Sequence, residues 1–239
     1  MAALDGLDLR VRQGEFVSLL GPSGCGKSTA LRLIAGLTEP SSGTIEWDRQ
    51  HAVSRTRSHA LGFVFQEPTL MPWATVAANV RLPFKLEGAS AKETLPRVGA
   101  ALARVGLKGF EQRYPRELSG GMKMRVSVAR ALVTEPRLLL MDEPFAALDE
   151  ITRFRLNNDL LALWQSLGKT IIFVTHSVFE SVYLSQRVLV MSDRPGRIVA
   201  ELRIDAPVSR DESFRTSGSY AAACRQVSEA LSRAMGGQQ

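Results

Sequence analysis

Residues 21–29 read Gly21-Pro22-Ser23-Gly24-Cys25-Gly26-Lys27-Ser28-Thr29. A glycine, four residues and then Gly-Lys-Ser is the pattern of a phosphate-binding loop. Glycine puts no Cβ between the backbone and an anion, so successive N–H groups can turn inward around phosphate oxygens. Lys27 supplies a cation for β- and γ-phosphates, and the Ser28 hydroxyl is a natural Mg2+ ligand. The flanks agree with this reading. Glu15-Phe-Val-Ser-Leu-Leu20 is a short apolar run suited to a buried strand, and Ala30, Leu31, Ile34 and Leu37 recur at helical spacing. Strand, loop and helix in that order deliver phosphates to a helix N-terminus, where the dipole and free N–H groups favour negative charge.

Outward from this loop, the chain has the make-up of a globular protein. It has 239 residues, 45% of them hydrophobic and 23% charged, enough for one large domain with a real core. The formal charge of +6 suits anionic partners such as nucleotide, nucleic acid or a lipid surface, and equally a solvated basic surface. Cys25 and Cys224 lack metal-ligand spacing, and neither a disulfide framework nor a histidine cluster is expected from two cysteines and three histidines. No apolar run reaches the length of a membrane span, and residues 1–20 lack a basic segment followed by an apolar one. A cytoplasmic chain is expected.

Hydrophobic periodicity divides the chain further. Leu7, Leu9 and Val11 alternate with polar residues before a turn at Gln13-Gly14, which predicts the first strand of a hairpin. A strand is expected over 44–47 and another over 61–65. Residues 68–115 are rich in proline and alanine and read as an inserted helical subdomain, placed at about 68–135. There Leu95, Val98, Leu102 and Val105 are expected on one helical face, with Pro96 starting or kinking the helix. Strand and helix alternate again from 119: a strand over 137–141, a helix over 151–167 burying Phe154, Leu160, Leu161, Trp164 and Leu167, and a strand over 169–175. Ser177 and Glu180 form a capping box. A terminal hairpin turns at Arg194-Pro195-Gly196, and one helix is expected over 221–234 within a C-terminal extension, 205–239. The fold class is α/β, a P-loop core with an antiparallel β subdomain and the helical insert. Gln66, Asp142-Glu143 and His176 each follow an apolar strand. In open α/β sheets ligands bind beyond the carboxyl ends of strands, so these groups and the loop are expected in one crevice.

Leu118-Ser119-Gly120-Gly121-Met122 opens another helix with a capping serine and two glycines. Alone, such a segment is a plain N-cap. With the upstream loop and the polar strand ends, the chain resembles the nucleotide-binding subunits of ATP-binding cassette (ABC) transporters from Leu4 to Ile204. Gly21–Thr29 matches the Walker A loop, Gln66 the Q-loop, Leu118–Met122 the signature, Leu138–Glu143 Walker B, Ala147-Leu148-Asp149 the D-loop and His176 the switch histidine. The stretch Phe65–Trp73 together with Arg194-Pro195-Gly196 is similar to importers of the nitrate/sulfonate/taurine group.

The resemblance implies an ATPase that binds ATP and Mg2+. Ser28, Gln66 and Asp142 would hold the metal, Glu143 would act as general base for the attacking water, and Lys27 and His176 would contact the γ-phosphate. It implies that Ser119, Gly120 and Gly121 reach the nucleotide held by a second copy, with Asp149 near the shared interface. A homodimer would drive separate membrane permease subunits, served indirectly by a substrate-binding protein, from the inner face of the cell membrane, with no nucleic-acid partner. Leu70, Met71 and Trp73 fit either a permease contact or internal packing of the insert.

Some positions depart from the family pattern. No aromatic residue precedes Phe16, whereas family members carry one upstream that stacks on adenine. Such stacking is worth about 1–3 kcal/mol in nucleic-acid sites, so either the start lies upstream or ATP binds more weakly; the first is the expectation adopted. Met122, Lys123 and Met124 are less polar than is usual there, and Ser177 replaces an aspartate. Cys25 at a helix N-terminus is expected to be reactive and protected by ATP. The competing reading, a soluble ABC ATPase in DNA repair or cofactor assembly, is disfavoured by the lack of a long heptad-bearing insertion between Walker A and signature. A regulatory module without turnover is disfavoured by Glu143 and His176.

Overall fold

A computed structural model describes residues 2–47, 61–207 and 210–236. The chain forms two compact units, Met1–Ser54 with Gly168–Gln239, and Arg55–Leu167.

In the first unit, strand β1 (Phe16–Leu20) lies between β4 (Thr170–Thr175) and β5 (Arg187–Met191) and runs parallel to both. Every residue of β1 is buried, as expected of an apolar strand with parallel neighbours on both edges. Strand β6 (Ile198–Arg203) completes the predicted hairpin against β5. Helix α1 (Lys27–Ile34) follows β1 directly, and α6 (Val178–Leu184) follows β4. Two helices close the unit, α7 (Glu212–Arg215) and α8 (Gly218–Gly236), the second packing on α6 and β5. The C-terminal helix is therefore longer than the predicted 221–234. Glu15, buried beneath the hairpin, accepts an ion pair from Arg187 at 2.8 Å.

The second unit carries β2 (Leu61–Val64) parallel to β3 (Leu138–Asp142). Its helices are α2 (Val76–Leu86), α3 (Ala91–Arg104), α4 (Gly120–Leu132) and α5 (Glu150–Leu167). Thr75, Ser90 and Ser119 accept backbone N–H bonds as N-caps of α2, α3 and α4, each supplying a partner for an amide with no intrahelical acceptor. Helix α4 presses so closely on β2 that a Cβ at Gly62 would lie 2.5 Å from the Ala131 carbonyl oxygen.

Several local expectations change. Leu7, Leu9 and Val11 are half-buried while Asp8, Arg10 and Arg12 are exposed, so the alternation identifies the inward face, but residues 7–11 form no strand. Alternation sets which side is wet; a strand also requires a neighbour to pair its N–H and C=O groups. Backbone bonds instead tie Ala3 and Asp5 to Gly196. Residues 44–47 likewise form no strand. In α3, Leu95 is 50% exposed, and the buried face is Thr94, Val98, Ala101 and Leu102. Pro96 lies inside the helix, which starts at its Ser90 cap. Phe154 and Leu37 are exposed rather than core. Only half of the capping box forms: Ser177 caps Glu180 N, but the Glu180 carboxylate accepts from the Thr175 hydroxyl at 2.5 Å.

Candidate nucleotide-binding residues

The first unit holds the glycine-rich loop Gly21–Thr29 and His176. Gly26 has φ 106°, a conformation that L side chains rarely adopt, and caps α1 without any side-chain hydrogen bond. A Cβ there would stand 2.7 Å from Leu4 Cδ2 and 2.9 Å from the Ala3 carbonyl oxygen. Gly21, Gly24 and Gly26 thus let Gly21–Thr29 curl tightly, while Pro22, Ser23 and Gly24 line its outer, more exposed arc. Lys27 is nearly buried, and its Nζ donates to the carbonyl oxygens of Gly21 at 2.9 Å and Pro22 at 2.8 Å. Ser28 and Thr29, in the first turn of α1, are half-buried.

The register of the parallel strands brings His176 to this loop's level. Leu20 pairs with Thr175, so Gly21 and His176 are the next residues off adjacent strands at one carboxyl edge. The hairpin turn adds a contact that periodicity could not show. A Cβ on Gly196 would lie 2.1 Å from the Cys25 carbonyl oxygen, and Arg194 Nε donates to the Gly24 carbonyl at 3.2 Å. Arg194 and Gly196 stand 170 residues or more from the loop they support, and only the Arg-Pro-Gly turn hinted at them.

Cys25 departs from expectation. Its thiol is fully buried, and burial, opposed more weakly by the Lys27 charge, pushes its pKa up. Proximity to a helix N-terminus does not activate a thiol that has lost its water.

The second unit holds the remaining residues. Val64 pairs with Met141, so Gln66 and Glu143 leave parallel strands two residues past the same pair. Asp142 ends β3, and Glu143 follows with φ 45°, a left-handed conformation uncommon for a residue with a Cβ. Backbone outliers of this kind gather at functional positions. The segment beyond Gln66 is held by two residues, Arg130 and Asn79, that carry no motif of their own in the sequence. Arg130 donates to the Pro68 and Thr69 carbonyls, both at 2.8 Å, and to the Thr69 hydroxyl at 2.9 Å. Buried Asn79 bonds Met71 through both N–H and C=O and also holds the Ala74 and Thr75 carbonyls. Between these clamps Trp73 is 77% exposed, and Leu70 and Met71 are half-buried.

Ser119 and Gly120 are exposed at the start of α4, where the Ser119 Oγ accepts from Met122 N at 3.3 Å. The D-loop packs on this turn: a Cβ on Gly120 would lie 3.3 Å from Leu148, and one on Gly121 2.7 Å from Thr152 Cγ2. Asp149 caps α5, accepting from Thr152 N at 2.9 Å, and that bond holds its carboxyl below the usual range.

A glycine cradle ending β1, a lysine folded into it and an uncapped helix start define a P-loop nucleotide-binding core. The comparisons carry this to a family. The model of the ABC transporter family matches residues 4–146. The nitrate import ATP-binding protein NrtD of Synechocystis sp. is 49% identical over 87% of this chain and 77% of its own length. The aliphatic sulfonates import ATP-binding protein SsuB of Bacillus cereus is 43% identical over 89% of this chain and 84% of its own. The dimeric post-hydrolysis structure of the ATP-binding cassette MJ0796, bound to ADP and Pi, superposes with a TM-score of 0.72 at 35% identity, covering 86% of this chain and 92% of that one. The chain belongs to the ABC transporter family, as an ATP-binding, ATP-hydrolysing cassette. Among the described residues no helix is long and apolar enough to cross a membrane.

Proposed function

We propose that this ATPase powers uptake of a small oxyanion or organosulfonate through separate permease subunits, acting as a dimer on the inner face of the cell membrane. The observation that carries the reading is the pairing of an intact phosphate cradle and post-strand Glu143 with close likeness to import subunits named for nitrate and sulfonates.

ATP fits the residues present. The inward arc of Gly21–Thr29 and the uncapped start of α1 suit phosphate oxygens, with Lys27 exchanging its carbonyl partners for them. Mg2+ fits by donor chemistry: Ser28, Gln66 and Asp142 offer hard oxygens, too few for an all-protein cage and typical of a site completed by phosphates and water. Bound there, Mg2+ would neutralise charge on the β- and γ-phosphates. Glu143 accepts the proton of the water that attacks the γ-phosphate, and His176 keeps that water in line. Phosphoryl transfer rests on such positioning and electrostatics. Ser119, Gly120 and Gly121 complete the site of the opposing copy, with Asp149 beside the junction, and a substrate-binding protein feeds the permease. Residues 68–135 serve as the helical subdomain that meets the permease through the Leu70–Trp73 surface.

Uptake of labelled nitrate and of an alkanesulfonate in cells lacking this chain tests the reading. Loss of either, restored by the wild-type chain and not by Glu143→Gln, is the expected result; undiminished uptake of both overturns it. For the shared site, Ser119→Arg is expected to abolish turnover while leaving ATP binding to the isolated chain intact.

A further inference from the structure

Helix α6, which begins two residues after His176, has seven residues. A helix this short does not hold itself together in water, so its position comes from its buried packing, with Val182 and Leu184 in the core, and from what grips its ends. At its start, the Thr175 hydroxyl donates to the Glu180 carboxylate at 2.5 Å and accepts from Ser177 N at 3.0 Å. His176 is thereby strung between two pinned residues, while its own side chain is exposed.

The far end of α6 is gripped from the C-terminal segment. Arg210 Nη1 donates to the Tyr183 carbonyl at 2.5 Å and to the Val182 carbonyl at 3.4 Å, two acceptors that lack intrahelical partners at a helix C-terminus. The Tyr183 hydroxyl donates back to the Arg210 carbonyl at 3.0 Å. Tyr220, in α8, donates its hydroxyl to the Phe179 carbonyl at 3.0 Å. Phe214 fills the space between, its ring edge-on to Tyr220 and 5.9 Å from the Arg210 guanidinium.

Arg210 is only 8% exposed, and no carboxylate among the described residues pairs with it. Burial pushes its pKa down to about 10, so it stays charged at neutral pH. A buried cation is costly, and apolar packing could have fastened a tail without it. What a guanidinium adds is a directional fork onto the last carbonyls of one helix, with its charge at the negative end of the dipole.

We propose that Arg210 is a positioning residue for hydrolysis: with Tyr220 it makes the C-terminal segment a strut that fixes α6 and, through it, the switch histidine His176. This rests on the reading of His176 as a phosphate-contacting residue.

The test measures kcat and KM for ATP in the full chain, for Arg210→Met, Arg210→Lys, Tyr220→Phe and His176→Ala, with each of the first three also made in the His176→Ala background. Arg210→Met is expected to lower kcat about tenfold with KM within about twofold, and Tyr220→Phe to lower it about two- to threefold, effects in the range of couplings carried through packed elements. Arg210→Lys, which keeps the charge, is expected to fall between wild type and Met. In the His176→Ala background none of the three should cost anything further, because the group they position is gone. Equal losses in both backgrounds would mean a general structural role and would overturn the proposal, as would an unchanged kcat in Arg210→Met. If Arg210→Met does not fold, Tyr220→Phe, which removes a single oxygen, decides by the same comparison. If His176→Ala alone leaves kcat intact, the reading of His176 fails and the strut loses its role with it; if His176→Ala is inactive and the tail variants are silent, that reading stands and only the strut fails.

Discussion

Two glycine-bearing helix starts of this chain, at Gly21–Thr29 and Leu118–Met122, look alike in sequence and differ in construction. At Gly21–Thr29 the backbone itself is the device: Gly26 holds φ 106°, a Cβ would strike the Ala3 carbonyl oxygen, and no side chain caps α1. At Leu118–Met122 the backbone is ordinary. Ser119 has φ −67° and caps α4 through its own hydroxyl, and the neighbours of Gly120 and Gly121 are the ends of Leu148 and Thr152 side chains. The first site is preorganised as a cradle and tolerates little. The second is a capped helix whose glycines keep its surface low, the feature that the proposed contact with a second copy's nucleotide would use.

Five substitutions or modifications can break or sharpen that contrast. The largest effect is expected away from both turns. Glu143→Gln should retain ATP binding while lowering phosphate release by about 10²–10⁴, the usual contribution of a general base; hydrolysis at the wild-type rate would remove Glu143 from the chemistry and leave the cradle as a binding device alone.

Next come the glycines themselves. Gly26→Ala forces a Cβ onto backbone at a positive φ, a strain of roughly 1–3 kcal/mol, and should weaken ATP binding about tenfold or more and lower Tm. Gly120→Ala meets only a Leu148 methyl at 3.3 Å, so Tm and ATP binding by the isolated chain should hardly move while turnover falls. Equal losses of ATP affinity in both variants, read by equilibrium titration, would show that the two turns are not built differently.

Cys25 probes the cradle from beneath. Because burial raises its pKa, maleimide labelling of the native chain should be slow, should accelerate as pH rises past 9, and should become fast only on unfolding. Rapid labelling at neutral pH would show that the loop opens readily.

The smallest effect concerns Asp149. The Thr152 N–H lowers its folded-state pKa, so its contribution to stability is present above the carboxylate's unfolded value and is lost as pH falls through the lower folded value. Asp149→Asn should flatten the acid limb of the Tm–pH curve slightly and leave Tm at neutral pH nearly unchanged, since asparagine also caps helices.

Much of this arrangement is legible along the chain. The apolar runs over 16–20, 138–142 and 170–175 announce buried strands because parallel strands covered on both faces need no polar alternation. Capping residues at Ser119 and Ser177 mark helix starts for a local chemical reason. Where reading failed, the missing term was nonlocal. Residues 7–11 alternate correctly and still form no strand, since pairing depends on a neighbour that periodicity does not contain. Leu95 and Phe154 sit at helical spacing yet face water, because a stripe is wider than the surface available to cover it.

By itself, then, the sequence determined the glycine-rich turn after β1, the buried strands over 16–20, 138–142 and 170–175, and the residue types that follow them, all consequences of backbone stereochemistry and local solvation. Only the tertiary structure decided that Gly196 seats against Cys25, that Arg130 and Asn79 brace the segment after Gln66, that the Cys25 thiol is buried, and that Arg210 grips the helix following His176. Those outcomes depend on which groups lose water together and which carbonyls are left wanting a donor, and both are properties of the packed molecule.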